Sequence, residues 1–182
     1  MKLMFASDLH GSYYWTQKVI ERFKDERADY LVLMGDLLYH GPRNPLPKEY
    51  NPQKVIELLN QIKHQIIAVR GNCDSEVDQM VLQFPMTADY NLIPLEDRRL
   101  LITHGHLYSE EKLSHFLQKG DALVFGHIHI PILKEKEGIY YLNPGSATLP
   151  KENHPQTYAV LEDNHFEVKT LDGQIYRQLQ LT

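Results

Sequence analysis

The sequence predicts an α/β protein in which two β-sheets pack together within a single domain spanning residues 1–182. Up to residue 71, short apolar runs alternate with segments of helical periodicity, an order that is typical of a parallel sheet. After Thr87 the pattern changes to a series of mostly short strands separated by turns, which favours a second sheet. We find no internal repeat, low-complexity tract or linker, and the length suits one domain.

Three apolar runs predict the strands of the first sheet. They are Leu3–Ala6, residues 30–35 (YLVLMG) and residues 65–71 (QIIAVRG). The second run is continuously apolar, which is typical of a strand that is buried on both faces. Because helical segments separate the runs, we expect these strands to pair in parallel.

Two helices are predicted between these strands. The first carries Trp15, Val19 and Phe23 at helical spacing, and we interpret Trp15 as a core residue. The second follows residues 40–52, a predicted loop with four prolines in thirteen residues. Asn51 is the expected N-cap of this helix, with Pro52 at its first position. Its apolar face is predicted to contain Val55, Leu58, Leu59 and Ile62.

The second half of the chain is predicted to form a largely antiparallel sheet with one helix near Glu110–Gln118. Its strands are predicted from apolar runs that lie between turn residues. These runs are RLLITHG (99–105), ALVFGH (122–127), IYYLNPGS (139–146), TYAVLE (157–162), HFEVKTL (165–171) and IYRQLQL (175–181).

Composition excludes several classes of partner and location. The formal charge is −5 and no run of Lys or Arg exceeds two residues, so we do not expect duplex nucleic acid as a partner. No apolar run approaches the length of a membrane span, and the N-terminus does not have the pattern of a secretory signal. The one cysteine cannot form an internal disulfide and fits a reducing compartment, so a cytoplasmic location is expected.

Metal-capable side chains follow five of the predicted strands. Taken singly, each of these residues has a simpler interpretation as a turn former or a hydrogen-bonded loop residue. Their repetition at strand ends favours a common site, because ligand sites of α/β sheets collect beyond the carboxyl ends of strands. We expect alternate residues of an extended segment to present paired ligands on one side. The candidates are Asp8 with His10, Asp36, Asn72, His104, and His127 with His129.

The types of donor in this set predict its chemistry. Carboxylate, imidazole and amide oxygen without thiolate suit Mn²⁺, Fe or Zn²⁺ better than a structural zinc site. Seven donors are too many for one catalytic ion with open positions, and they suit two ions that share a bridging carboxylate. Such ions lower the pKa of bound water, so that hydroxide is available as a nucleophile near neutral pH. The predicted reaction is an in-line phosphoryl displacement on an anionic substrate.

The motif set resembles that of the calcineurin-like metallophosphoesterases, and the match spans residues 8–129. Among them, the short length, the segment GDLLYHGPRNPLPKEYNP and the tetrad GNCD are most similar to the small bacterial YfcE-type phosphodiesterases. The resemblance implies an αββα sandwich of two mixed β-sheets flanked by helices. The matching motifs are Asp8-x-His10, Gly35-Asp36, Gly71-Asn72-x-Asp74, Thr103-His104-Gly105 and Gly126-His127-x-His129.

The resemblance also implies the role of each metal ligand. Asp8, His10 and His129 would hold one divalent ion. Asn72, His104 and His127 would hold a second ion, and Asp36 would bridge the two. Mn²⁺ is the expected metal, with Zn²⁺, Fe and Ni²⁺ as alternatives.

Cys73 departs from the pattern of the wider family, in which many members carry His at this position to contact the phosphate and protonate the leaving group. A neutral thiol supports a dianionic monoester or a poor leaving group only weakly, which favours diesters. The simpler interpretation is that Cys73 is a small buried hydrophobe. Asp74 would orient a neighbour. The resemblance thus assigns catalysis to Asp36, Asn72, Cys73, Asp74 and His104.

The remaining predictions concern the substrate. His40 and Arg43 follow Asp36 in the proline-rich loop and, with Cys73, are candidate contacts for substrate phosphate; the alternative is a solvated loop. His106 either lines the cleft or caps a turn. The expected activity is hydrolysis of a small phosphodiester. A phosphomonoesterase or nucleotide phosphatase and a non-catalytic scaffold, like the retromer subunit of this fold, are the alternatives. A homo-oligomer, dimer or tetramer, is left open.

Overall fold

Two β-sheets lie face to face in the computed structural model, which describes residues 1–113 and 115–182. The first sheet has the strand order β11-β10-β9-β1-β2-β3, and its strands β1, β2 and β3 pair in parallel. Strand β9 pairs antiparallel with the other side of β1. The strands are β1 (Leu3–Ala6), β2 (Tyr30–Leu33), β3 (Ile66–Ala68), β9 (Thr157–Glu162), β10 (His165–Thr170) and β11 (Ile175–Gln180).

The second sheet has the order β4-β5-β6-β8-β7. Its three central strands β5, β6 and β8 are parallel, and the edge strands β4 and β7 are antiparallel to their neighbours. The fold is therefore α/β with two mixed sheets, as expected. The strands are β4 (Tyr90–Pro94), β5 (Arg99–Thr103), β6 (Ala122–Phe125), β7 (Pro131–Lys136) and β8 (Ile139–Pro144).

Helices flank the sheets, and the helix that follows Asn51 begins as the sequence predicts. In α1 (Tyr13–Glu26) the Ser12 hydroxyl accepts a hydrogen bond from the Trp15 amide. In α2 (Pro52–Gln61) the Asn51 side chain caps the Lys54 amide, and Pro52 occupies the first turn. The other helical segments are a 3₁₀ turn (Lys63–Gln65), α3 (Glu76–Val81) and α4 (Glu110–Leu113). No helix in the described part of the chain has the length and apolarity that a membrane crossing requires.

The alternation of side chains along β1 builds two core layers. Leu3 and Phe5 point into the layer between the two sheets, whereas Met4 and Ala6 point into the layer under α1 and α2. Phe5 is fully buried, and burying a side chain of this kind stabilises a fold by about 1.5–3 kcal/mol. Strand β1 is thus fixed on both faces and both edges, and the residues that follow it are held in place.

Two predictions about the second sheet are wrong. Strands β9, β10 and β11 extend the first sheet, because β1 has two edges and β2 covers only one of them. The second sheet is also not largely antiparallel, since its centre is parallel. The apolar pattern of a strand indicates which of its residues are buried, but it does not indicate which sheet the strand joins.

Four elements were not predicted at all, namely β4, β7, α3 and the 3₁₀ turn at Lys63–Gln65. The side chains of β4 alternate between exposed and partly exposed, so that no apolar run marks the strand. The helix expected near Glu110–Gln118 is shorter than predicted and ends at Leu113, while Ser114 lies outside the described residues.

Candidate metal centre

The predicted ligands meet at the seam between the two sheets, beyond the carboxyl ends of five parallel strands. Asp8, Asp36 and Asn72 follow β1, β2 and β3 of the first sheet, while His104 and His127 follow β5 and β6 of the second. The first sheet therefore supplies every carboxylate of the predicted ligand set, and the second sheet supplies most of its imidazoles. This is where α/β sheets place their ligand sites.

Asp8, His10 and His129 form one group of potential ligands, whose ligand atoms all lie within 4.8 Å of one another. The Nε2 atom of His129 is 3.1 Å from Asp8 Oδ1, and the Nε2 atom of His10 is 3.7 Å from the same oxygen. Asp8 is fully buried, and its Oδ1 atom has no hydrogen-bond partner. A buried carboxylate oxygen without a partner is costly, so this group fits a bound cation.

Asp36 connects this group to the other predicted ligands. Its Oδ2 atom is 3.7 Å from His10 Nε2 and 3.5 Å from His104 Nε2. On the far side of His104, Asn72 Oδ1 lies 3.1 Å from the same Nε2 atom. The His127 ring lies beside the His104 ring, with 5.1 Å between centroids. Asp36 thus lies between two sets of donors, which is the position expected of a bridging carboxylate.

Backbone carbonyl groups set the orientation of three histidine rings. The Nδ1 atoms of His10, His104 and His129 lie 2.9, 2.7 and 2.5 Å from the carbonyl oxygens of Tyr39, Met34 and Leu149 respectively. A carbonyl oxygen can only accept, so each Nδ1 carries a proton, and in the neutral form of each ring the lone pair of Nε2 points inward. A hydrogen bond from the far ring nitrogen to a backbone carbonyl is typical of metal-binding histidines.

The backbone conformation at the site differs from the expected one. Asp8, His10, Asp36, His127 and His129 all have positive φ, between 48° and 68°. The prediction that alternate residues of an extended segment present paired ligands is therefore wrong, although Asp8 and His10 do share one group. His127 and His129 instead point to different neighbours, His104 and Asp8. Left-handed backbone at non-glycine residues costs about 1–3 kcal/mol per residue and is concentrated at functional sites.

Two glycines let neighbouring segments approach the carboxylates. A Cβ atom on Gly71 would lie 2.1 Å from Asp36 Oδ1, and one on Gly126 would lie 2.0 Å from Ser7 Oγ. The Ser7 hydroxyl in turn donates a 2.5 Å hydrogen bond to Asp8 Oδ2. No side chain fits at either position, because it would displace groups that hold Asp8 and Asp36.

The electrostatics of the site favour a cation. Burial raises the pKa of the Asp8 carboxyl, but His129, His104 and His10 outweigh burial and hold the pKa below its usual range. Burial lowers the pKa of His104, but Asp36 and Asp8 raise it to about 9. The carboxylates therefore stay ionised and attract positive charge, whether protons on the imidazoles or a metal ion.

Asp74 lies behind the candidate ligands and accepts three backbone hydrogen bonds. Its Oδ2 atom accepts from the amides of Asp36 (2.8 Å) and Gly71 (2.7 Å), and its Oδ1 atom accepts from Leu37 (2.8 Å). Burial raises the pKa of Asp74 to about 6, against the amides that stabilise its charged form. Asp74 therefore ties the segment after β2 to the segment after β3.

Cys73 lies at the edge of the site as a neutral thiol. Burial raises its pKa to about 12, and the charges of Asp36 and Asp74 add to this effect. The Cys73 amide donates a 2.8 Å hydrogen bond to Asp36 Oδ1, while its sulfur accepts from Asn72 Nδ2 at 3.3 Å. The thiol therefore presents neither a positive charge nor an available nucleophile to a ligand.

A cavity of about 600 Å³ opens in front of the site. Arg43 lines it, whereas His40, the other predicted substrate contact in this loop, is not among the residues that line it. The His40 ring instead packs edge-on against Tyr39 and Tyr50, with centroids 4.9 and 5.2 Å away. The lining residues are Asp36, Gly41, Pro42, Arg43, Asn44, Asn72, Cys73, His127, Ile128, His129, Ile130 and Lys151.

His106 and Lys151 lie near the site, but only one of them lines the cavity. His106 lies beside His104, with 5.4 Å between ring centroids, and its buried Nδ1 atom has no hydrogen-bond partner. It is not among the residues that line the cavity. Lys151 does line the cavity, yet sequence reasoning missed it because it lies in a loop with no motif around it.

Comparison with known proteins identifies relatives across nearly the whole chain. The family model of the calcineurin-like phosphoesterase superfamily domain matches residues 1–165. Phosphodiesterase YfcE from Escherichia coli is 50% identical over 174 residues, which cover 96% of this chain and 94% of the relative. The solved structure of the E. coli phosphoesterase Yfce matches with a TM-score of 0.97 and 49% identity over 100% of both chains. Vps29 from Entamoeba histolytica, solved with Zn²⁺, shares the fold at a TM-score of 0.68 and 21% identity over 100% of both chains.

Proposed function

The chain belongs to the calcineurin-like phosphoesterase superfamily, and we propose that it hydrolyses small phosphodiesters with two divalent metal ions. The observation that carries this proposal is the group formed by Asp8, His10 and His129, in which an orphaned carboxylate oxygen faces two imidazole nitrogens. The identity of 50% to a protein named phosphodiesterase supports diesters as substrates.

We assign the ligands to two ions according to which donors lie together. Asp8, His10 and His129 would hold one ion, while Asn72, His104 and His127 would hold the other. Asp36 would bridge the two, since its Oδ2 atom lies within 3.7 Å of a histidine from each set. Oxygen and imidazole donors suit Mn²⁺ as the expected metal. When bound, such ions polarise the phosphoryl group and lower the pKa of water, which supplies the nucleophile.

The residues around the ligands keep these donors in place. The carbonyl groups behind His10, His104 and His129 fix the tautomer and aim each Nε2 atom at the centre. Asp74 acts as a positioning residue, because it holds the amides of Asp36 and Gly71. With its donors prearranged, the site spends little binding energy on ordering them.

Cys73 favours diesters over monoesters in this proposal. A neutral thiol with a raised pKa does not offset the second negative charge of a monoester, and it donates a proton to a leaving group poorly. A diester with a good leaving group carries one charge and needs little protonation. A monoesterase of the same fold remains the second candidate, and substrate comparison separates the two.

A scaffold without catalysis is the third candidate, because a Vps29 protein shares the fold. The donor set argues against it, since all seven predicted positions carry a residue that can bind a metal. Their inward orientation would be costly in a protein that had no use for it.

The test of the proposal is a panel of aryl phosphodiesters and the matching monoesters, assayed with the protein reconstituted in turn with Mn²⁺, Zn²⁺, Fe²⁺ and Ni²⁺. We expect metal-dependent hydrolysis with a preference for the diesters. Absence of hydrolysis with all four metals, in protein that binds them, would support the scaffold.

A further inference from the structure

We propose that the substrate is a phosphodiester with a second anionic group, and that Arg43 and Lys151 bind this group inside the cavity. The inference rests on the proposed function and specifies its substrate class. Arg43 and Lys151 come from different loops, and both line the cavity in front of the candidate ligands. Among the described residues that line the cavity, they are the two whose side chains always carry positive charge.

Lys151 is coupled directly to the candidate metal ligand His129. The Lys151 amide donates a 3.2 Å hydrogen bond to the His129 carbonyl oxygen, and the His129 ring bonds to the Leu149 carbonyl. The loop around Lys151 therefore keeps a fixed position relative to the candidate ligands.

Arg43 is held on the Cys73 side of the cavity. It lies in a turn closed by a 3.3 Å hydrogen bond from the Asn44 amide to the Gly41 carbonyl, and Asn44 Nδ2 donates to the His40 carbonyl at 2.8 Å. A Cβ atom on Gly41 would lie 3.1 Å from Cys73 Sγ, so this turn lies directly against the site. The position of this loop therefore places Arg43 near where a phosphate would bind, although Arg43 is not one of the predicted metal ligands.

The charge balance of these two cations points to a ligand with more than one negative charge. Within the described part of the chain, no acidic partner lies within ion-pair distance of Arg43 or Lys151, in contrast to Arg70, which pairs with Asp89 at 2.6 Å. A simple diester has a single negative charge, and the proposed ions would already bind its phosphoryl oxygens. Two further unpaired cations in the same cavity therefore fit a second phosphate or a carboxylate.

The rest of the cavity fits the part of the substrate that joins the two anions. Pro42, Ile128 and Ile130 line the cavity together with the two cations. These side chains offer apolar contact to a ring or a carbon chain but no charge. The cavity volume of about 600 Å³ lies within the range for a small organic ligand.

The test compares three diesters with the same p-nitrophenyl leaving group, using the protein reconstituted with Mn²⁺. The second group esterified to the phosphate, which we call the arm, is thymidine, thymidine 3′-phosphate, or thymidine with a 3′-carboxymethyl group. We expect kcat/KM for an anionic arm to exceed that for the neutral arm by about tenfold or more, the size typical of charge-assisted hydrogen bonds. An advantage of one anionic arm over the other identifies phosphate or carboxylate as the group bound.

Variants then assign the effect to the two side chains. Arg43→Gln and Lys151→Gln should each lower kcat/KM more for the anionic arms than for the neutral arm. Lys151→Arg keeps the charge and should retain most of the advantage, while circular dichroism verifies that each variant is folded. Lys24→Gln removes an exposed lysine of α1 that lines none of the described cavities, and it should leave all three rates unchanged.

The outcomes separate this inference from the function on which it rests. Equal kcat/KM for the three diesters, or a full advantage in the Arg43→Gln/Lys151→Gln double variant, would overturn the second-anion site while hydrolysis itself stands. If none of the three diesters is hydrolysed by metal-loaded protein, the proposed function fails and this inference fails with it.

Discussion

His10 and His129 face each other with their Nε2 atoms 3.4 Å apart. Each ring gives its Nδ1 proton to a backbone carbonyl, so in the neutral rings two lone pairs point at one another and at Asp8 Oδ1. Such an arrangement is repulsive until a positive charge lies between the atoms. Either a proton or a divalent cation between the rings relieves this repulsion.

The first prediction is strict metal dependence. Removal of metal with a chelator should abolish phosphodiester hydrolysis, and added Mn²⁺ should restore it, because the neutral residues of the site include no competent nucleophile. The measurement is the rate of p-nitrophenol release together with metal content by elemental analysis. Hydrolysis that persists in protein shown to be free of metal would rule out the mechanism.

The second prediction concerns the bridging role of Asp36. Asp36→Asn removes the negative charge between the two donor sets, so we expect this variant to lose bound metal. Its activity should fall by more than the roughly 10–100-fold that is typical when a group hydrogen-bonded to a metal ligand is removed. His40→Ala is the matched comparison, because His40 packs against tyrosines outside the cavity and should leave metal binding intact. Elemental analysis measures the number of metal ions bound to each of the two variants. Two ions retained by Asp36→Asn would contradict the assignment.

The third prediction concerns Cys73. Cys73→His introduces a potential general acid beside the leaving group, and general-acid catalysis typically contributes about 10²–10⁴-fold. We expect the ratio of monoesterase to diesterase activity to rise, measured with p-nitrophenyl phosphate and its bis-ester. An unchanged ratio in a folded, metal-loaded Cys73→His protein would show that another part of the cavity determines the preference.

Cys73→Ser is the control for a direct role of the sulfur. Because the thiol is neutral and its pKa is raised to about 12, diester turnover should largely survive this substitution. If Cys73→Ser abolishes turnover while both ions stay bound, the sulfur takes part in the reaction and our interpretation is incorrect.

The fourth prediction concerns the pH dependence of stability and lies far from the metal centre. Glu26 in α1 accepts hydrogen bonds from Lys169 (2.9 Å) and Tyr158 (2.7 Å), and Lys2 lies 3.2 Å away. Burial raises the pKa of the Glu26 carboxyl, but these partners outweigh it and the pKa is lowered. An acid whose pKa is lowered on folding stabilises the fold above its unfolded pKa, and this stability is lost as the pH falls through the folded value.

Glu26→Gln should therefore lower the free energy of unfolding by about 1–2 kcal/mol at neutral pH, and the difference from wild type should shrink below about pH 4.5. Urea unfolding of the metal-free wild type and variant, at neutral pH and below about pH 4.5, measures this difference in the free energy of unfolding. Glu21→Gln, which changes an exposed pair with Lys18, should cost less at either pH. A cost for Glu26→Gln that is the same at both pH values would contradict the prediction.

Sequence reasoning predicted the parts of the fold that depend on local pattern. The strand at Leu3–Ala6 and the N-cap at Asn51 follow from apolar periodicity and capping chemistry, which are read within a few residues. The partner of a strand depends on distant residues, so the pairing of β9 with β1 was not predicted. Strand β4 (YNLIP) has no fully buried residue and contains a proline, so its sequence did not indicate a strand.

The candidate site was predictable to the extent that its donors carry their own chemistry. Asp8, His104 and the other donors could be grouped because several predicted strands are each followed by a residue that can bind a metal. The left-handed backbone at Asp8, His10, Asp36, His127 and His129 was not predictable, since packing and hydrogen bonds outweigh the local preference of Asp and His. Lys151 was not predicted for the same reason. It is held at the cavity by a hydrogen bond from its amide to the His129 carbonyl, and no sequence motif indicates that contact.

The seam on which the donors meet has a consequence for the order of folding. His10 and His129 are 119 positions apart in the chain, and their approach requires both sheets to be formed and packed. Even Asp8 depends on the C-terminal strands, because β9 covers the open edge of β1. An ion that is bound by both His10 and His129 therefore requires the two sheets to be packed. We therefore expect a chain that is truncated before β9 to lose both metal binding and phosphodiesterase activity.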